Sequence, residues 1–188
     1  GSVLETQLNY WKEKLKEIPQ LQLPTDYPRP AIETFRGEEQ VCSFSTELTA
    51  KLNQLSEQHG VTPFITLLAA FKVLLYRYSG QEKIVVGSPS ANRNRKEIEG
   101  LIGFFVNSLV MYTNLEGKPS FLEVLNRVRE TAIEAYANQD LPFEKLVDEL
   151  QPERSLQQNP LFQVVFAVQQ AEAFMSNFSL PNLEMSLF

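Results

Sequence analysis

Few residues in this chain have the types and spacing that catalysis usually requires. The 188 residues include one histidine, His59, and one cysteine, Cys42. The sequence holds no glycine-rich phosphate loop, no HExxH zinc motif and no GxSxG nucleophile motif. His59 precedes Gly60, where a helix is predicted to end, and Cys42 alternates into a predicted core strand, so we expect structural roles for both. By residue chemistry alone, the chain is not a self-sufficient catalyst.

The polar residue that stands out most is Asn107, inside a long apolar run. Two glycines, Gly100 and Gly103, open the run, and apolar residues dominate it to Tyr112. A run of this kind, rich in β-branched and aromatic residues, predicts a central strand covered on both faces. A buried amide must find hydrogen-bond partners or line a wet cavity. Asn107 could therefore point at a reacting centre or make a buried strand-to-loop hydrogen bond, and both interpretations stay open here.

The spacing of the other apolar residues predicts the elements that position this strand. Periods of three and four indicate helices, and alternation or short apolar runs indicate strands. The order favours one α/β domain, a two-layer sandwich of helices on a mixed sheet. The predicted helices cover about 4–18, 46–58, 63–78, 120–138 and 142–150, with a short turn or helix at 96–101. The predicted strands cover about 38–45, 83–87, 100–112 and 161–169.

Several helix ends are signalled by capping residues. Ser45 or Thr46 can cap the second helix, and Thr62 followed by Pro63 is a strong start signal for the third. Asp140 is predicted to cap a helix that Pro142 begins. The segment after Gln170 has no clear pattern.

Composition excludes several classes of protein. A formal net charge of −6 argues against nucleic acid as a partner, and no apolar run is long enough to span a membrane. A single cysteine fits a reducing compartment, so we expect a cytoplasmic protein. Gly1 and Ser2 have the appearance of an expression-vector remnant, which leaves residues 3–188 as the domain. No metal site is predicted.

Three segments resemble motifs of the condensation domains of nonribosomal peptide synthetases. Ile102–Ser108 resembles I-G-x-F-V-N-T, with serine in the last place. Asn138–Glu144 resembles H/N-Q-D-x-P-F-E without a mismatch, and Arg154–Leu161 resembles R-x-x-x-x-N-P-L. Tyr112 stands where many members of the family carry arginine. The resemblance covers nearly the whole chain, from about Leu4 to Leu187.

The resemblance assigns two groups of residues. Gly103, Asn107 and Ser108 become candidates for facing a tunnel or substrate. We expect the others to be structural. They are Phe105, Gln139, Asp140, Pro142, Phe143, Glu144, Arg154, Asn159 and Pro160.

What the family implies is a domain of two lobes, each resembling chloramphenicol acetyltransferase, that meet at a tunnel. Donor and acceptor peptidyl carrier domains dock there and insert phosphopantetheine arms, so no cofactor binds the lobes directly. The amine of the acceptor aminoacyl thioester attacks the donor thioester and forms an amide. The family's catalytic motif, H-H-x-x-x-D-G, is absent here. The chain therefore resembles the C-terminal lobe, truncated at its end, and is predicted to be inactive without the N-terminal lobe.

Two other interpretations belong to different classes. The chain could be a non-catalytic carrier-docking or scaffold module, or a lobe of an epimerisation or heterocyclisation relative. Those relatives usually lack the G-F-F-V-N wording, so Asn107 argues against them. An isolated lobe would also expose apolar surface and a strand edge, so we expect the isolated chain to self-associate.

Overall fold

The computed structural model describes residues 2–28, 30, 32, 36–150 and 159–169. Arg154 and the segment after Gln169, for which the sequence made predictions, lie outside these residues. The elements, in chain order, are α1 (Val3–Lys14), α2 (Thr46–Gln58), α3 (Pro63–Ser79), β1 (Lys83–Ser90), α4 (Lys96–Glu99), β2 (Asn107–Asn114), α5 (Phe121–Ala137) and α6 (Phe143–Leu150).

The sheet consists of two antiparallel strands, and one isolated parallel bridge adds to it at β1. β1 and β2 pair antiparallel along their whole length, from Lys83 opposite Asn114 to Ser90 opposite Asn107. The predicted strand at 161–169 forms only an isolated parallel bridge, between Gly87 and Val165. Two backbone hydrogen bonds of 2.9 Å form this bridge. The N–H of Gly87 donates to the carbonyl of Val164, and the N–H of Phe166 donates to the carbonyl of Gly87.

Helices α3 and α5 pack together against the sheet and form the second layer. The centre of the core is fully buried and lies between these helices and the strands, where Leu68, Val86, Met111 and Val128 are all 0% exposed. This confirms the predicted two-layer α/β arrangement. Among the described residues, no single helix has the length and hydropathy to cross a membrane, although α2 and α3, bent by 105°, meet that test as a pair.

The predicted capping signals are confirmed at α2 and α3, and α5 has a side-chain cap as well. The Ser45 hydroxyl accepts the N–H of Leu48, and the Thr62 hydroxyl accepts the N–H of Ile65. Ser120 caps α5 in a reciprocal pair with Glu123. These bonds satisfy amides that a helix N-terminus otherwise leaves without partners.

The N-terminus of α1 departs from expectation. Ser2 was predicted to lie outside the fold, but its hydroxyl accepts the N–H of Glu5 and its own N–H donates to the Glu5 carboxylate. Whatever its origin, Ser2 is the N-cap of α1. The helix ends at Lys14, before the predicted end at Ile18, and Glu17 has a φ of 58°.

The predicted strand at 38–45 is wrong. The structure has no regular element at residues 36–45, all of which are exposed, and Cys42 is an exposed free thiol rather than a core residue. Alternating side chains specify a strand only where a neighbouring strand can pair with it. No strand among the described residues pairs with this segment.

The long apolar run is a strand only in its second half. β2 begins at Asn107, and the preceding residues 101–106, here called the apolar loop, have no strand pairing. Ile102 is 104% exposed and Phe104 is 89% exposed. Hydropathy predicted burial for the whole run, but the sheet of this chain offers a partner only from Asn107 onward.

Gly87 provides a test of the sheet edge. A Cβ atom built at Gly87 would lie 2.5 Å from the ring of Phe162, which is itself buried. We expect Gly87→Ala to lower the free energy of unfolding by about 1–3 kcal/mol, because the ring must move out of a packed position. Urea unfolding would measure this. The control is Gly100→Ala, where nothing lies within 4 Å of the added Cβ; an equal loss in both variants would contradict the packing explanation.

Candidate functional site

Asn107 lies at the first position of β2 and is almost fully buried. Its Nδ2 group donates to the carbonyls of Gln139 (2.8 Å) and Leu141 (2.9 Å). Its Oδ1 atom accepts the N–H of Ser108 and the N–H of Phe143, both at 3.0 Å. A primary amide offers two donors and two lone pairs, so these four bonds use all of its capacity. The side chain binds β2 to the segment between α5 and α6.

The position of Phe143 makes Asn107 a cap for α6. Phe143 is the first residue of α6, and the N–H of Leu146 donates to the carbonyl of Pro142. The predicted cap, Asp140, is wrong, because its carboxylate accepts instead from Gln7 Nε2 (3.1 Å) and Asn94 Nδ2 (3.2 Å). A side chain from another element therefore satisfies the orphan amide that local sequence was expected to satisfy.

Helix α1 holds the same segment from the other side. The side chain of Gln7, 5% exposed, donates to Asp140 and accepts the N–H of Leu141 at 2.9 Å. One turn later, the indole N–H of Trp11 donates to the carbonyl of Asn138 at 2.9 Å. The hydroxyl of Ser90, at the end of β1, donates to the Gln139 side chain at 2.7 Å.

We call this assembly the junction: Asn107, Gln7, Trp11, Ser90 and the segment Asn138–Phe143. It joins α1, β1, β2 and the start of α6 through hydrogen bonds, and every buried side-chain nitrogen and oxygen among the described residues has a partner. Buried polar networks of this kind fix one arrangement of their elements because each unmade bond is costly. Gln139, Asp140, Pro142 and Phe143 lie together here, while Glu144 has an exposed side chain in the first turn of α6.

Arg93 holds the apolar loop that leads into the junction. Its guanidinium donates to the carbonyl of Ile98, to that of Glu99 (3.2 Å) and to that of Gly103 (3.3 Å). It also lies 4.4 Å from the centroid of the Phe105 ring. Arg93 therefore orders the backbone of this loop, as its planar fork of donors allows.

Two residues of the apolar loop contact Arg93, while the other side chains of the loop stay exposed. Gly103 and Phe105 contact Arg93, and Ser108 is the first residue after Asn107, half-buried and opposite Pro89. Contiguous large apolar side chains that stay exposed are typical of interaction surfaces and ligand grooves. In this loop they are Leu101, Ile102, Phe104 and Val106.

Asn159 and Pro160 start the last described segment. The Oδ1 atom of Asn159 accepts the N–H groups of Leu161 (3.0 Å) and Phe162 (3.3 Å). This turn directs Phe162 onto Gly87, and the Phe162 ring lies 5.4 Å from that of Phe143. The geometry therefore joins this segment to α6 and to β1.

The burial of one lysine was not predicted, because the sequence indicated an apolar helix at that place. Lys72 of α3 is 0% exposed, and its Nζ donates to the carbonyl of Met111 (2.6 Å) and to Thr113 Oγ1 (2.7 Å). Thr113 in turn bonds to Thr131 of α5 at 3.0 Å. Burial lowers the pKa of Lys72 well below its usual range, and the charge of Lys14 lowers it further. The amine links both helices to β2, far from the junction.

Other residues that sequence reasoning missed had weak signals. Gln7 and Trp11 are four residues apart and both are buried on the inner face of α1. The available signal was that Gln7 is a polar residue on an otherwise apolar helix face. Ser90 and Arg93 follow the predicted strand at 83–87, and functional loops often begin after a strand, but nothing in their spacing indicates their partners. His59 is the exposed C-terminal boundary residue of α2, as expected, and contacts none of the junction residues in the described structure.

Comparison with known proteins supports one family. The sequence profile of the condensation domain matches residues 2–187. A linear gramicidin synthase polypeptide of Brevibacillus parabrevis is 65% identical over 170 residues, which cover 90% of this chain and 3% of that protein. Chondramide synthase of Chondromyces crocatus is 50% identical over 186 residues, which cover 98% of this chain and 5% of that protein. The chain thus spans only a few per cent of these relatives' length.

Solved structures agree with the sequence comparison. The X-domain from teicoplanin biosynthesis superposes with a TM-score of 0.82 at 31% identity, covering 87% of this chain and 37% of that one. The four-domain nonribosomal peptide synthetase AB3403 gives a TM-score of 0.86 at 27% identity, covering 89% of this chain and 13% of that one. The described helices and strands therefore have the arrangement found in one part of each of these two proteins.

Proposed function

Because the chain belongs to the condensation-domain family of nonribosomal peptide synthetases, we propose that it is the C-terminal lobe of a domain that forms amide bonds between carrier-bound thioesters. In this reaction the acceptor amine attacks the donor thioester carbonyl. A carbon–nitrogen bond forms, the carbon–sulfur bond breaks, and the proton lost by the amine ends on the departing thiolate. The phosphopantetheine arms of donor and acceptor carrier domains deliver both thioesters.

The single observation that carries the proposal is the junction. Two of the motifs that resemble the family, around Asn107 and around Asp140, are one hydrogen-bonded unit in space. A thioester is already activated, so a wall that positions two arms supplies much of what the reaction needs. We assign the junction the task of positioning β2 and the apolar loop, rather than of contacting the reacting atoms, because the Asn107 amide has no hydrogen-bond capacity left.

The one histidine of the sequence is badly placed to act as a base for this reaction. This residue, His59, is exposed at the end of α2. We therefore propose that the preceding N-terminal lobe supplies the catalytic histidine and packs against the apolar loop. The exposed side chains of Ile102 and Phe104 support this partner, because a lobe interface would bury both.

A second candidate is a docking module that binds a partner protein and catalyses nothing. The observation that favours it is the similarity to the teicoplanin X-domain, which has been solved in complex with OxyB. In this version the apolar loop would contact the partner, and no added lobe would restore amide formation.

The experiment mixes the 188-residue chain with donor and acceptor carriers loaded with aminoacyl thioesters, with and without the preceding lobe of the parent protein. We expect no dipeptidyl thioester from the chain alone and turnover when the lobe is added. Phe104→Ser should raise the concentration of chain needed for half-maximal turnover about tenfold, the effect of one large apolar contact. The control is Phe121→Ser, a partly exposed residue at the start of α5.

Two outcomes would overturn the proposal. Turnover by the lone chain would show that a base lies within it. Failure of the added lobe to restore turnover, although the two lobes bind each other, would favour the docking module.

A further inference from the structure

A pocket of about 370 Å³ lies at the opposite end of β2 from the junction. It is formed by the C-terminal part of α3, the loop after β2 and the start of α5. The register of the sheet places this end next to Asn114 and Lys83, seven residues along the strand from the pair Asn107 and Ser90. The pocket is therefore separate from the site proposed for condensation. Its lining residues are Val73, Tyr76, Arg77, Leu115, Lys118, Pro119 and Val124.

The charged residues of the lining are both cations. Arg77 and Lys118 are exposed, and neither makes an ion pair or a side-chain hydrogen bond within the described residues. No carboxylate lines the pocket, although the whole chain carries a formal charge of −6. Two like charges beside one cavity create a local positive potential that attracts anions.

The two acids on either side of Lys118 in the sequence, Glu116 and Glu123, direct their carboxylates to neutral hydrogen-bond donors. Glu116 accepts the Asn114 side-chain amide at 2.8 Å, and its own N–H donates to Asn114 Oδ1 at 2.8 Å. Glu123 accepts the N–H of Ser120 at 2.7 Å in the capping pair of α5. Both carboxylates therefore bond to neutral groups of their own loop and helix, and neither forms an ion pair with Arg77 or Lys118.

The loop that presents Lys118 is held in place. Arg127 of α5 donates to the carbonyls of Asn114 (2.9 Å) and Glu116 (3.0 Å). Lys118 itself has a φ of 52°, an uncommon value for a residue other than glycine and more so before a proline. Strained backbone persists where the surrounding structure fixes it, and it concentrates at binding sites.

The floor of the pocket is apolar. Leu115 is 2% exposed and Val124 is 3% exposed, and Val73 and Tyr76 are half-buried beside them. The volume lies at the lower end of the range for small-molecule sites. We infer that this pocket binds a small organic anion, with a carboxylate or phosphate group held by Arg77 and Lys118 and a short apolar body against Leu115 and Val124.

The test is a titration of the full 188-residue chain followed by amide chemical shifts, with hexyl phosphate and hexanoate as probes. We expect both to shift the amides of Tyr76, Leu115, Lys118 and Val124 with a Kd in the millimolar range or below. Hexanol and hexylamine, which match the body without the negative charge, should bind at least about tenfold more weakly, because a charge-assisted contact is lost. Inorganic phosphate, which lacks the apolar body, should also be weaker.

Variants then assign the charges. Arg77→Gln and Lys118→Gln should each raise the Kd for hexyl phosphate about tenfold. The matched controls are Arg95→Gln and Lys96→Gln, two exposed cations at the junction end of the molecule. Four results would overturn the inference: no shift with either anion, shifts centred elsewhere, equal binding of hexanol, or the same loss of affinity in the control variants.

Discussion

We expect the stability of the natural chain to rise with pH, and Lys72→Met to abolish most of that rise. The lowered pKa of Lys72 means that the folded chain releases this proton at a lower pH than the unfolded chain, which keeps it up to about pH 10.4. Between the lowered folded pKa and about pH 10.4, the unfolded state therefore binds more protons. The free energy of unfolding should rise with pH across that window by as much as about 1.4 kcal/mol per pH unit.

Geometry supports the same direction as burial. The amine has two acceptors, Met111 O and Thr113 Oγ1, which match the two N–H groups of a neutral amine. An ammonium group carries a third N–H that finds no acceptor among the described residues, so protonation leaves a buried charge short of a partner.

Urea unfolding at a series of pH values would measure this effect in the natural chain and in Lys72→Met. The control is Lys83→Met, the same substitution at an exposed residue of β1. The curve of the control should stay parallel to that of the natural chain, while the curve of Lys72→Met should be flatter. Equal slopes for all three proteins would contradict the buried neutral lysine.

Asn107→Ala is expected to lower the free energy of unfolding by about 3–5 kcal/mol, which places it among the most harmful single changes. The substitution leaves the carbonyls of Gln139 and Leu141 and the N–H of Phe143 without their partner, all at or near the buried junction. Each unmade buried bond costs about 1–3 kcal/mol.

Asn107→Asp makes this prediction specific to the amide. A carboxylate keeps the acceptor for Phe143 but faces two carbonyl oxygens that need donors. We therefore expect a comparable loss at neutral pH and a partial recovery in acid, where the protonated group can donate one bond. Asn126→Ala, an exposed residue of α5, is the control. Thermal unfolding that shifts by less than the control's error would assign the junction a smaller role than its hydrogen bonds indicate.

Periodicity and capping chemistry were enough to predict most of the helices. Thr62 before Pro63, Ser120 before Glu123 and Gly80 at the end of α3 act within one turn of their own helix, so their partners can be inferred locally. The resemblance of the motifs to condensation domains was likewise carried by short segments. These are properties that neighbouring residues determine.

Tertiary structure decided which polar atoms meet. Asn107 and Phe143 are 36 residues apart, and Gln7 and Leu141 are 134 apart, so no local rule could show that Asn107 rather than Asp140 caps α6. The burial of Lys72 has the same origin, because its acceptors belong to a strand that follows α3 in sequence but faces it in space.

The apolar run at 100–112 shows the physical limit most clearly. Its hydropathy determined that the run must be covered by something, but hydropathy does not state by what. In this chain β1 covers the half from Asn107 onward, and Ile102 and Phe104 remain exposed because no described element pairs with them. The sequence by itself determined the local elements and their apolar faces, and only the packing of the folded chain decided which of those faces are filled from within.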